Sequence, residues 1–312
     1  MLYTIYMITR HARGKIQWVD LETPSRQELA EIMREFHIDA RIEEEIVGTT
    51  PYPVILTSPD YLYLILHFPA ADPNGGARIH EIDFIVGRHF LITARYNPIE
   101  SIHSLHKVFE AEELLGLPAH HQPSIDKLLE RVLRKLYGAL REEVETIGHR
   151  IDRIEKDIFG GKERETVRVI SEVNRVLLRF DTTIGRHAES LSSLLSELAL
   201  PSFFGKQFMA HAARIDAERE HVATLIASYR DVATDLRETN DSLLSASQNE
   251  VMKTLTVITF IILPLSLISS IFQMNLPGRP LADTPQGFWI IVGVSAVLAV
   301  FLVLFSKYKR WF

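Results

Sequence analysis

Hydrophobic and polar residues follow three successive patterns along this chain. Up to about residue 115, runs rich in Ile, Val, Phe and Tyr, such as "YPVILTSPDYLYLILHFPA" and "IHEIDFIVGRHFLITARYN", alternate with helix-spaced stretches. β-Branched and aromatic runs of this kind predict paired strands, with Gly87-Arg88 as a tight turn and "DPNGGAR" as a hairpin loop. "TPSRQELAEIMREF" predicts a helix, because Thr23 or Ser25 can cap it, Pro24 stands near its start, and Leu29, Ile32, Met33 and Phe36 recur at helical spacing. Residues 1–120 therefore read as an α/β domain.

From Ser124 the period becomes helical. "SIDKLLERVLRKLYGALREEVETIGHRIDRIEKDIF" stops at Gly160-Gly161, and a second run covers about Glu165 to Leu198 before "ALPSFFG" interrupts it. Residues 121–205 form this helical region, and a third helix begins near Lys206 with no breaker before Pro264. Phe208, Ala212, Ile215, Val222, Ile226, Tyr229, Ala233, Leu236 and Leu243 mark one stripe on it. As a single helix, residues 206–272 would be about 100 Å long, so the 206–253 part is expected to project into the cytoplasm as a stalk. Burying its stripe requires neighbours, which argues for oligomerisation.

The third pattern is apolar throughout. "TLTVITFIILPLSLISSIF" (254–272) and "GFWIIVGVSAVLAVFLVLF" (287–305) are uncharged and each long enough to cross a bilayer core of about 30 Å. They predict two transmembrane helices joined by an external loop, 273–286. Lys307, Lys309 and Arg310 in the basic tail 306–312 put both termini in the cytoplasm, and Trp289, Tyr308 and Trp311 suit the interfacial belts. The expected location is the inner (plasma) membrane, with lipid as a partner.

Within the first span, Met252, Thr256, Thr259, Leu263, Ser266, Ser270 and Gln273 are spaced alternately four and three apart and share one helix face. Ser and Thr are common at membrane helix contacts, where they bond back to their own backbone. Five polar side chains on one stripe, continued down through Asn249, Ser245, Ser242 and Glu238, are better explained by a water-lined path. Two spans cannot enclose a path, so several copies must share an axis. Pro264 removes a backbone hydrogen bond within this span.

Composition narrows the functions. A net charge of −6 with no basic stripe argues against nucleic acid as a partner. The absence of cysteine leaves only oxygen and imidazole ligands for a metal. No phosphate-binding glycine loop, nucleophile elbow or HExxH pattern points to an enzyme, and no resident cofactor is expected.

"NEVMKTLTVITFIILPLSLISSIFQMN" (249–275), with the short loop, second span and basic "KYKRWF", resembles the membrane signature of the CorA family of divalent-cation channels. "WVDLETPSRQELAEIMREF" and "EIDFIVGRHFLITARYN" also resemble that family's N-terminal domain. The resemblance implies an α+β membrane protein assembled as a homopentameric funnel, with the first span lining the pore. It implies Asn275 as the outer-mouth ligand of a hydrated cation, with Met274 packed beside it. Asn249, Met252, Leu255, Leu263 and Ser266 fall on its pore-lining positions, and Asp235 and Glu238 on the stalk where the family senses internal cation. An amide ring can select Mg²⁺ through its water shell.

The family signature is Gly-Met-Asn, and Gln273 replaces its glycine. A second amide ring there could narrow, supplement or block the entrance. Zn²⁺ or Co²⁺ transport of the ZntB type is therefore an alternative to Mg²⁺, and a non-conducting membrane scaffold is an alternative of another class. For zinc, His103 and His106, adjacent His120 and His121, and His211 are the histidines to weigh, and they read as ordinary surface residues.

Overall fold

The computed structural model describes residues 7–48, 50, 52–72, 76–115, 124–273 and 286–309. The chain divides into two compact units, Met1–Arg237 and Glu238–Phe312.

The first unit is built on strands β1 (Met7–Arg13), β2 (Ile16–Glu22), β3 (Ile55–Thr57), β4 (Tyr61–Ala71), β5 (Ala77–Gly87) and β6 (Phe90–Arg95). Their order in the sheet is β1-β2-β6-β5-β4-β3, antiparallel except for the parallel β2–β6 pair. The long hairpin β4–β5 runs in register from Tyr61↔Gly87 to Ala71↔Ala77, so its loop lies where "DPNGG" was expected to turn the chain. β5 and β6 are joined across Arg88 and His89, as the Gly87-Arg88 signal required.

Helices α1 (Arg26–Glu35) and α2 (Ala40–Val47) cover one face. Ser25, rather than Thr23, caps α1: its hydroxyl accepts from the Glu28 amide and the Glu28 carboxylate accepts from the Ser25 amide, a reciprocal capping box. Leu29, Ile32 and Met33 of α1 and Ile42 and Ile46 of α2 pack on Val19, Leu21, Tyr61, Tyr63, Ile65, Ile85 and Ile92. Alternation along each strand sends the intervening residues to the opposite face. That face is covered by α3 (Glu100–Leu114), α4 (Ile125–Phe159), α5 (Glu163–Gly185) and α6 (His187–Leu198).

Several polar groups are buried with the core. Asp83 is 1% exposed beside Tyr63, whose hydroxyl donates to it at 2.6 Å, and burial pushes its carboxyl well above the ordinary range. His187 donates from Nε2 to the His67 carbonyl at 2.9 Å and accepts from the Tyr137 hydroxyl at Nδ1, also 2.9 Å. Burial lowers His187 to about 3, so it is a neutral pin between α6 and β4. This pin and Gly185 explain why the helical run expected over 165–198 breaks at Arg186 into α5 and α6.

The stretch read as a stalk from residue 206 opens with a 3-10 turn, Lys206–Phe208, after Gly205 in a left-handed conformation at φ 73°. Helix α7 (Met209–Gln273) follows, and Pro264 lies inside it. In the first unit, Ile215, Val222, Ile226 and Ala233 of α7 are buried against helices of the same chain, so this stripe, contrary to the sequence reading, does not call for other copies. Tyr229 comes so close to Gly148 of α4 that a Cβ added there would run into its ring. Only glycine fits this crossing.

The second unit holds the rest of α7 and α8 (Gly287–Tyr308). Gln273, assigned by sequence to the external loop, is the last helical residue of α7, and α8 continues past residue 305 to Tyr308.

Candidate functional site

The candidate path is a face of α7. Asn249, Met252, Leu255, Thr256, Thr259, Leu263, Ser266, Ser270 and Gln273 are all exposed. Val257 is buried at 2% exposure, Leu302 of α8 at 7% and Ser306 at 0%, and the Phe260 and Phe305 rings lie 6.5 Å apart, so the two apolar helices meet there. Ile261, Pro264, Ile268 and Phe272 are half-buried on the same side as Val257. At 3.6 residues per turn, the stripe from Met252 to Gln273 lies on the opposite side. α8 thus leaves the polar face of α7 unoccupied.

Two hydroxyls of this face in the span, those of Thr256 and Thr259, bond to their own helix. Thr256 donates to the Met252 carbonyl at 2.8 Å and Thr259 to that of Leu255 at 2.9 Å. Below them, Ser242 and Ser245 donate to the carbonyls of Glu238 and Asp241, both at 2.9 Å. This is the back-bonding expected of membrane hydroxyls. It also has a chemical consequence: with each hydrogen directed inward, the oxygen turns its lone pairs outward. The face therefore offers acceptors, which suit water molecules whose own oxygens are turned toward a cation. Leu255, Leu263 and Met252 interrupt the acceptors with apolar side chains, at 56%, 62% and 60% exposure.

Of the three residues expected at an outer mouth, only Gln273 is described; Met274 and Asn275 lie outside the described residues. Asp235 and Glu238 are exposed on α7, one on each side of the division between the units. Among the described residues, no three His, Asp or Glu side chains converge where they could hold a metal ion.

The histidines correct the sequence reading. His106 is 5% exposed and is no surface residue; His211 is also largely enclosed, bonded to Glu130, which Arg214 grips as well. His120 and His121 lie outside the described residues. His103 and His106 do not pair with each other: they reach Glu22 at 2.6 Å and Asp20 at 2.9 Å. Sequence reasoning missed these carboxylate partners because they stand on a strand far away in the chain. The available signal was Asp20 and Glu22 at alternate positions of β2, pointing to the face that α3 covers.

A family model described as "CorA-like Mg2+ transporter protein" matches residues 13–307. The chain belongs to the CorA family. It is 24% identical over 300 residues to the cobalt/magnesium transport protein CorA of Thermotoga maritima, covering 94% of this chain and 83% of that one. It is 21% identical over 297 residues to the cobalt/magnesium transport protein CorA of Methanocaldococcus jannaschii, covering 95% of this chain and 92% of that one. The complete structure of the CorA magnesium transporter from M. jannaschii matches with a TM-score of 0.82 at 21% identity, covering 96% of this chain and 92% of that chain. These likenesses establish the CorA fold over soluble and apolar parts together. Two apolar helices of spanning length in a CorA-family chain make this a membrane protein.

Proposed function

We propose that this chain forms an oligomeric channel that passes hydrated Mg²⁺ along the exposed face of α7. The observation that carries the reading is the polar stripe of α7, which α8 leaves uncovered. In one chain this stripe would meet lipid, which offers no donor to its outward lone pairs; around a shared axis it meets water instead. Five copies are the number that the family resemblance implies. Asn275 then stands at the outer mouth with Met274 and Gln273, both termini are cytoplasmic, and the membrane is the inner (plasma) membrane.

Mg²⁺ suits such a path because it sheds water reluctantly, and outward lone pairs accept from its water shell without replacing it. Zn²⁺ prefers imidazole and thiolate ligands; the stripe carries no histidine and the chain no cysteine. Uptake of Mg²⁺ and of Zn²⁺ into proteoliposomes containing the full chain tests the proposal. Mg²⁺ flux that exceeds Zn²⁺ flux is expected; Zn²⁺ preference would establish the zinc alternative, and flux of neither ion would leave a scaffold. Asp235 and Glu238 are assigned to cation sensing in the same reading. Replacing both by their amides should make flux less sensitive to internal Mg²⁺, and unchanged sensitivity would remove that assignment.

A further inference from the structure

Beneath α3 lies a hydrogen-bonded series of titratable side chains that the transport path does not use. His11 of edge strand β1 meets His106 of α3, Nε2 to Nδ1, at 2.9 Å, and His106 Nε2 meets Asp20 Oδ2 of β2 at 2.9 Å. Asp20 also accepts from Arg95 of β6 at 3.0 Å and from the Thr93 hydroxyl at 2.5 Å. Burial opposes its charge, but His106, Arg95 and Thr93 together hold its carboxyl below the ordinary range. Asp20 is thus a carboxylate, and His106 carries hydrogen on Nε2 to donate to it. His106 Nδ1 is then an acceptor, and His11 Nε2–H donates to it.

This arrangement limits the protons that the pair can hold. One extra proton on either ring leaves a donor facing an acceptor. A second would put hydrogens on both nitrogens of the 2.9 Å contact and place two like charges on rings stacked 5.1 Å apart. The hydrogen bond would be lost and the rings driven apart.

We propose that the His11–His106 contact is a proton-binding latch that holds edge strand β1 against α3 and releases it on acidification. β1 pairs with β2 on one side only. Its polar ties elsewhere include the Arg10–Glu35 pair, with both side chains 42% exposed, and Arg13 to Glu112 and the Phe109 carbonyl, while Ile8 packs on the core and His11 on the Trp18 and Phe109 rings. Exposed pairs of this sort contribute about 0–1 kcal/mol, whereas His11 and His106 are 8% and 5% exposed.

The charges around the latch agree with this direction. Burial, His106 and Arg13 of its own strand lower His11, and Glu110 and Glu113 of α3 only partly offset them. On β2 and β6, Arg95 lies between Asp20 and Glu22, and His103 of α3 takes the other side of Glu22. Arg131 of α4 is occupied by Glu112. His11 is therefore held below its ordinary 6.5: burial and His106 oppose its charge in the closed strand but not in the open one, so opening of β1 gains as pH falls below 6.5.

Hydrogen–deuterium exchange on the full chain in detergent, at pH 7.5 and pH 5.5 and corrected for intrinsic rates, tests the latch. Protection of the β1 amides should fall by about tenfold at the lower pH, the equivalent of one buried hydrogen bond, while β5 amides stay unchanged. His11→Gln keeps a donor toward His106 and cannot titrate, so it should abolish the fall; His103→Gln should preserve it. Equal protection of β1 at both pH values in the unsubstituted chain overturns the proposal, as does a fall that persists in His11→Gln or vanishes in His103→Gln.

Discussion

The two units of this chain handle apolar surface in opposite ways. In Met1–Arg237 sheet and helices enclose a large apolar core, with Phe84, Leu64, Leu133 and Phe180 all at 0% exposure. In Glu238–Phe312, Val297 is 71% exposed, Leu263 62% and Trp289 71%, and among the described residues the buried apolar side chains are Val257 and Leu302. The first unit carries its own driving force for folding, since water is excluded by its own side chains. The second leaves its apolar sides open to a membrane, and in the proposed channel its polar stripe would meet other copies. Stability and transport are therefore separable by mutation.

The largest expected effect is in the first unit. Phe84→Ala should destabilise the chain by about 3–5 kcal/mol, by lost transfer energy and a residual cavity. Leu263→Ala, on the exposed stripe, should shift unfolding by no more than about 0.5 kcal/mol while altering Mg²⁺ flux. Thermal unfolding and flux measured on both variants would break the comparison if the effects were reversed.

Gly148→Ala is the next test. Alanine is favoured over glycine within a helix by about 1 kcal/mol, yet its Cβ would strike the Tyr229 ring. Overpacking costs about 1–3 kcal/mol and should outweigh that gain, for a net loss of up to about 2 kcal/mol that a denaturant midpoint would show. Stabilisation instead would mean that α4 and α7 can move apart at no cost.

In the second unit, Asn275→Ala should reduce Mg²⁺ flux by about tenfold, the equivalent of about 1.4 kcal/mol. Gln273→Ala should reduce it less, and neither should move the unfolding temperature. Equal flux in Asn275→Ala and the unsubstituted chain would remove the ligand role.

The smallest effect expected concerns Asp83. Its folded carboxyl binds protons more readily than its unfolded value of 3.8 allows, so stability falls as pH rises from that value through the raised one. Asp83→Asn keeps the acceptor for Tyr63 and does not ionise. It should raise the unfolding temperature at pH 8 by about 2–4 °C and have little effect at pH 3.5. A variant less stable at pH 8 would show that the ionised carboxylate is tolerated.

Much of this architecture is legible in short stretches of chain. Ser25, Glu28 and the Leu29-Ile32-Met33 spacing specify α1, because a cap and an apolar stripe act within two turns of chain. The hairpins are legible for the same reason: Gly87-Arg88 and "DPNGGAR" turn strands that are neighbours in sequence. The polar stripe of α7 is legible because 3.6 residues per turn is a property of the helix itself. The break at Arg186 is not, because the His187 contacts that favour it come from β4 and α4.

The sequence by itself determined the α/β start, the helical middle, two spans and a polar face on the first of them, since local periodicity and segment length are written in consecutive residues. Tertiary structure alone decided that α8 covers the other side of α7, that Tyr229 requires glycine at 148, and that His106 belongs with Asp20 and His11 instead of His103. Those pairings join residues distant in the chain, and their burial removes the water that would otherwise compete for the same hydrogen bonds.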